Sequence, residues 1–247
     1  MPTLAVHLLP NLTTPQHLAG GTVVIIDVLR ASTTIITALA AGAKEVVPCL
    51  EVGDAQEAAR RKGGEAVLGG ERGGVKIAGF SLGNSPAEYT PDSVGGKPVI
   101  FTTTNGTRAL MQCLGAERVL IGAFVNLTAI VRQLISAAKI HLLCAGTDGH
   151  ITREDVLFAG AVADAFLQRS NRKFETNDEA DLARAAWRGS FEGKPVDAKS
   201  LAPLLRESRG GRNLIELGYG SDIELAAQID RLAIVPQLDP VAWAIRT

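Results

Sequence analysis

Short runs rich in valine and isoleucine, alternating with stretches of helix formers, constrain this chain more than any other feature. The runs are Gly21–Ile26, Glu45–Leu50, Ala66–Leu68, Pro98–Phe101, Arg118–Ile121 and Ile140–Cys144. They are apolar throughout rather than every second residue, which marks strands buried on both faces. Between them Ser32–Ala41, Val52–Lys62, Gly106–Leu114, Thr128–Ala137 and Thr152–Arg169 read as helices. The order predicts an α/β fold, a largely parallel or mixed sheet covered by helices. Right-handed crossovers then deliver the loops after the strands to one side of that sheet. Thr152 and Asp155 match a capping box at the start of the last of these helices. The more polar stretch 171–209, with helix formers around Asp178–Trp187, reads as a small helical lobe or lid. After it, Asp222–Leu232 reads as a helix running into a terminal strand at Ala233–Pro236.

With 247 residues, 46% apolar and 21% charged, the chain can bury the core of one domain, 1–247, with room for two lobes. Its 25 basic and 26 acidic residues leave a formal charge of −1, so no overall field draws it to nucleic acid or a lipid surface. The longest uncharged apolar stretches fall short of the roughly 18–20 residues that span a bilayer. Nothing resembles a secretory signal at Met1–Pro10, and Cys49, Cys113 and Cys144 cannot all pair with one another. A reducing cytoplasm is the expected setting. Homodimerisation is the base-rate expectation for such a protein.

Four polar loops follow the apolar runs: Asp27–Thr34, Gly70–Gly74, Thr102–Arg108 and Cys144–Gly149. Helix N-termini and free backbone N–H groups at such positions favour a phosphate, and guanidinium groups grip its oxygens in pairs. Arg30, Arg72 and Arg108 supply the guanidiniums, one in each of the first three loops. Asp27, Glu71 and Asp148 would repel a bare phosphate, which points to a divalent cation between them. Asp148, Glu154 and Asp155 make an oxygen-rich cluster suited to Mg²⁺, and the four histidines lack zinc spacing. Candidate metal ligands are therefore Asp27, Glu71, Asp148, Glu154 and Asp155.

Asp27 ends a strand and precedes Arg30, Ser32 and Thr33 on a helix start. It either ligates the metal, attacks phosphorus or orients water while Arg30 stabilises charge, or it caps the turn. Ser32 and Thr33 would hold the transferred group. Thr103, Asn105, Gly106, Thr107 and Arg108 read as an anion nest, and Arg72, Asn84, Ser85 and Thr147 complete the candidate ligand contacts. There is neither a P-loop nor a Gly-x-Gly-x-x-Gly pattern, which argues against nucleotide binding. Cys144 reads as a small buried apolar group rather than a nucleophile.

With these motifs in their order, together with Gly79–Pro86 and a late Ser208–Leu214, the chain resembles the 2-phosphosulfolactate phosphatase family over nearly its whole length. The resemblance implies a family-specific layered α/β architecture and Mg²⁺-dependent hydrolysis of a small anionic phosphoester, 2-phosphosulfolactate, to 3-sulfolactate and phosphate in coenzyme M biosynthesis. It also implies an acidic residue where this chain has Ser81. A substrate carrying phosphate, carboxylate and sulfonate would match three arginine loops. Two alternatives keep the same loops: a phosphatase acting on another small phosphorylated acid, and a noncatalytic anion-binding protein.

Overall fold

The computed structural model of the protein describes residues 1–191 and 195–247. Among these, eleven strands are found: β1 (Thr3–His7), β2 (Thr22–Ile26), β3 (Glu45–Pro48), β4 (Val67–Arg72), β5 (Val75–Lys76), β6 (Pro98–Thr102), β7 (Arg118–Gly122), β8 (Lys139–Cys144), β9 (Glu175–Thr176), β10 (Gln237–Asp239) and β11 (Ala244–Arg246). They form one mixed sheet in the order β5-β4-β6-β3-β11-β10-β7-β2-β8-β1-β9, flanked by helices. Two parallel blocks make up most of it: β4, β6 and β3 on one side, and β7, β2, β8, β1 and β9 on the other. The antiparallel hairpin β10–β11 joins them. β11 pairs with β3 where Ile245 faces Val46, and β10 pairs with β7 where Gln237 faces Leu120.

Successive residues of a strand point to opposite faces, and the apolar runs divide accordingly. Val23 and Ile25 of β2, Val99 and Phe101 of β6, Ile121 of β7 and Ile35 of helix Ala31–Ala40 enter one core that the two blocks share. Val24, Ile26, Leu142 and Cys144 turn to the other face and pack against Leu157, Phe158 and Val162 of helix Arg153–Arg169. Ile100 faces a smaller cluster with Ala55 of helix Val52–Arg61 and Phe80. Burial on both faces is why the sequence runs lack a polar alternation.

The segment 171–209 is helical as expected, with helices Asp178–Phe191 and Ala198–Arg206, although 192–194 lie outside the described residues. The first of these helices packs against Arg153–Arg169 as part of the main layer. A Cβ at Gly160 would collide with the Ala183 carbonyl oxygen, and Trp187 stacks on Phe124 with ring centroids 5.9 Å apart. The expected terminal strand is displaced. Ala233–Pro236 has no regular structure, the preceding helix is Gly220–Ala226, and pairing begins only at Gln237, after a proline that cannot donate to a ladder. Among the described residues no helix is long and apolar enough to cross a membrane, and all three cysteines are free thiols.

Glu45 anchors the seam between β3 and the hairpin. Its carboxylate accepts from Lys62 Nζ at 2.6 Å and from Arg246 Nη2 of β11 at 2.6 Å. Burial alone would raise its pKa, yet the two cations hold it below the ordinary glutamate value. A depressed carboxylate contributes stability above its unfolded pKa and loses it as pH falls through the folded one. Glu45→Gln should therefore destabilise the protein by about 1 kcal/mol near neutral pH, and urea melts at about pH 3 should show the difference shrinking.

Candidate functional site

The two blocks run in opposite directions through the hairpin, yet loops at their carboxyl ends meet; acidic side chains join the loops within each block, and Asn105 and Arg30 join one block to the other. Glu71, near the end of β4, accepts the Thr104 N–H at 2.7 Å, the Gly74 N–H at 2.6 Å and the Thr104 hydroxyl at 3.3 Å. Asp155, in the first turn of helix Arg153–Arg169, accepts Val28 N–H at 2.9 Å and Gly146 N–H at 3.0 Å, so it ties the loop after β2 to the loop after β8. The Asp148 N–H donates to Asn105 Oδ1 at 3.3 Å, and Arg30 Nη2 donates to the Gly74 carbonyl at 2.8 Å. All four predicted loops thus surround a single cavity of about 290 Å³. Arg30, Glu71, Asn84, Asn105, Thr147 and Asp148 line it from the sheet side. Gly210, Asn213, Glu216 and Leu217, on and just past helix Arg209–Glu216, close the other side.

Beneath this cavity lies a set of buried carboxylates. Asp27 follows β2, and its Oδ1 accepts the Ala31 N–H at 3.1 Å where helix Ala31–Ala40 begins. Burial pushes its pKa up to about 7; Glu71 and Glu154 add repulsion, while the Ala31 N–H and Arg30 pull the other way. Asp155 is raised well above the ordinary range by burial, then by Glu154 and Asp27. Glu154 is also raised by burial, against the hydroxyls of Ser208 and Thr152 and the charge of Arg212, and its Oε2 has no hydrogen-bond partner among the described residues. Gly106 leaves room beside Asp27, since a Cβ there would stand 3.0 Å from Oδ2 and 3.3 Å from Thr103 Oγ1, which has no hydrogen-bond partner among the described residues.

These groups fit Mg²⁺ by donor chemistry. Hard carboxylate oxygens predominate, their mutual repulsion is one a divalent cation would offset, and Glu154 Oε2 lacks any other partner among the described residues. Among the described residues no group of three or more His, Cys, Asp or Glu side chains is arranged to hold a metal ion. Mg²⁺ needs only one or two carboxylates when waters and substrate phosphate supply the rest. Of the five candidate ligands, Glu71 and Asp148 line the cavity, while Asp27, Glu154 and Asp155 lie outside its lining.

Other predicted contacts turn out to build the loops. The Ser32 hydroxyl accepts the Asp27 N–H at 3.0 Å and donates to the Ile25 carbonyl at 3.3 Å, and Thr33 donates to the Val28 carbonyl at 2.8 Å. Ser85 donates to Asp222 at 2.6 Å, and Thr107 is buried away from the cavity lining. The three arginines do not converge. Arg72 donates to the carbonyls of Glu71 and Leu50 and to Thr102 Oγ1, and Arg108 is exposed on helix Gly106–Met111, so of the three only Arg30 lines the cavity. Ser81 is likewise exposed and outside it. Thr152 is the N-cap residue of its helix, but its hydroxyl makes no capping bond, and the Asp155 side chain reaches across to Val28 and Gly146 rather than back to the Thr152 N–H. Cys144 is fully buried, and burial followed by Asp155 and Glu154 raises its thiol pKa well above the ordinary value, which suits a packing role.

The model of the 2-phosphosulpholactate phosphatase family matches residues 7–240. The chain belongs to that family. A protein of Symbiobacterium thermophilum named "Probable 2-phosphosulfolactate phosphatase" is 42% identical over 228 residues, covering 92% of this chain and 94% of that protein. Relatives with the same name from Caldanaerobacter subterraneus and Deinococcus radiodurans are 41% and 38% identical, covering 90% and 96% of this chain and 90% and 93% of theirs.

In this member of the 2-phosphosulpholactate phosphatase family, sequence reasoning missed the partners of Arg30. Its Nη1 donates to Asp222 Oδ2 at 2.8 Å, and its guanidinium carbon lies 4.4 Å from the centre of the Tyr219 ring. The late Ser208–Leu214 motif was the available pointer to this wall, whereas Asp222 stands in no motif at all. For Asp27, a folded pKa raised to about 7 means that ionisation destabilises the fold. The cost is absent below the unfolded value of 3.8, grows through the interval and is complete above about 7. Asp27→Asn should raise metal-free stability by on the order of 1–3 kcal/mol at about pH 8 and by nothing at about pH 3, read from thermal melts.

Proposed function

We propose that this chain is an Mg²⁺-dependent phosphatase that hydrolyses 2-phosphosulfolactate to 3-sulfolactate and inorganic phosphate. One observation carries the reading. A buried guanidinium, Arg30, lines a cavity together with amides and carboxylates, and a buried carboxylate raised to about 7, Asp27, stands three residues before it on the same loop, outside the cavity lining. Family membership supports the same chemistry.

Arg30 has five N–H donors and gives two of them to Asp222 and Gly74. The remaining three can take up charge that spreads over the phosphoryl oxygens as the ester bond loosens. Asp27 Oδ1 is held by Ala31, which leaves Oδ2, the oxygen beside Gly106, to attack phosphorus or to draw the proton from an attacking water. The Asn84 and Asn105 side chains, with Asn213 opposite, offer neutral donors to the carboxylate and sulfonate ends of the substrate. When bound by some of Asp27, Glu71, Asp148, Glu154 and Asp155, Mg²⁺ would neutralise phosphoryl charge. On this reading the reaction belongs to the cytoplasm and to the supply of 3-sulfolactate for coenzyme M.

Phosphate release from a panel of small phosphorylated acids tests this. The expected result is release from 2-phosphosulfolactate that chelation of Mg²⁺ abolishes, and its loss in Asp27→Asn with the fold intact. Arg30→Ala should lower kcat/KM by about 10³-fold, whereas the exposed Arg108→Ala should change it by less than about threefold. Preference for another ester would change the substrate and keep the chemistry. Phosphate binding without hydrolysis of any ester would instead establish an anion-binding protein.

A further inference from the structure

We infer that Asp222 is the positioning residue that aims Arg30 into the cavity, and that through Ser85 it fixes the neighbouring Asn84 as well. This rests on the phosphatase reading for its kinetic consequences, though not for its geometry. Asp222 lies on helix Gly220–Ala226, and its carboxylate has both oxygens engaged: Oδ2 accepts from Arg30 Nη1 at 2.8 Å and Oδ1 from the Ser85 hydroxyl at 2.6 Å. The side chains of the ion pair are 3% and 1% exposed. Asp222 does not line the cavity, so it is a support for groups that do.

An arginine on a loop ordinarily has several rotamers and loses that freedom on binding a ligand. Here three contacts fix the guanidinium plane beforehand. Asp222 holds Nη1, the Gly74 carbonyl holds Nη2 at 2.8 Å, and the Tyr219 ring covers one face. Asn84 adjoins Ser85, is 6% exposed, lines the cavity, and carries an Oδ1 with no hydrogen-bond partner among the described residues. One carboxylate therefore sets two ligand-facing groups, from a position 192 residues away in the chain from Arg30.

Two roles for Asp222 predict opposite signs. A negative charge acting only through its field weakens anion binding, so removing it would tighten phosphate. A positioning residue strengthens anion binding by aiming its partner, so removing it loosens phosphate.

The test measures inorganic phosphate affinity by calorimetry, kcat and KM for the phosphoester, and the thermal midpoint, for Asp222→Asn, Ser85→Ala, Arg30→Ala and the double variant of positions 30 and 222 in the full chain. Asp222→Asn should weaken phosphate binding and lower kcat/KM by about 100-fold, the scale of an ångström-sized misplacement. Ser85→Ala should act in the same direction and less strongly. In the Arg30→Ala background Asp222→Asn should cost no more than Ser85→Ala does in either readout, while any effect on the thermal midpoint remains. Tighter phosphate binding by Asp222→Asn, or an undiminished effect without Arg30, would overturn the inference. If Asp222→Asn does not fold, Ser85→Ala decides: unchanged affinity and kcat/KM would overturn it. If no ester is hydrolysed but Asp222→Asn still weakens phosphate binding, the phosphatase reading falls and the positioning role stands.

Discussion

Carboxylates kept from water within reach of one another's charge are the constraint around which this site is arranged. Asp27, Glu154 and Asp155 each carry a raised pKa whose largest cause is burial, and Glu154 adds repulsion to both of the others. Backbone N–H groups offset part of the penalty: one for Asp27 Oδ1 and two for Asp155. The nearby guanidinium, Arg30, makes its ion pair with Asp222 instead. What is left is concentrated negative charge beside an open cavity, a condition that a proton or a cation relieves and that an apolar core would never retain.

The same acidic groups double as fasteners. Glu71 ties the loops after β4 and β6, and Asp155 those after β2 and β8, each pair within one parallel block. Hydroxyls follow the same pattern, with Ser32 and Thr33 donating to the backbone of their own turn. A loop built from such internal bonds presents few side chains, and those it presents are held firmly. That is the requirement for a site in which one arginine reaches the cavity.

Much of this architecture is legible in the amino-acid sequence because it follows from local rules. The Val23–Ile26 run divides by alternate residues between two cores, and its fully apolar character announces that division without naming the cores. Loops after such strands gather functional residues, so Asp27, Arg30, Glu71, Asn84, Asn105, Thr147 and Asp148 stand out from the sequence alone. Side-chain direction is another matter. Arg30, Arg72 and Arg108 look alike as residue types, and only tertiary hydrogen bonds separate the one that faces the cavity from the one bound to carbonyls and the one on the surface. Thr152 and Asp155 satisfy a four-residue capping pattern, yet Asp155 has a partner 127 residues away that local reasoning could not weigh. Asp222 is invisible for the same reason, and β10 and β11 are too short, at three residues each, to leave a periodic trace.

The hairpin that joins the two parallel blocks is made from residues 237–246, long after β3 and β7. A ribosome therefore releases both blocks before the strands that seal the gap between them exist. Until then β3 and β7 each present a raw edge, with unpaired amides and carbonyls open to a neighbouring nascent chain. Biogenesis of this sheet, more than its finished stability, is where crowding on a polysome would be felt.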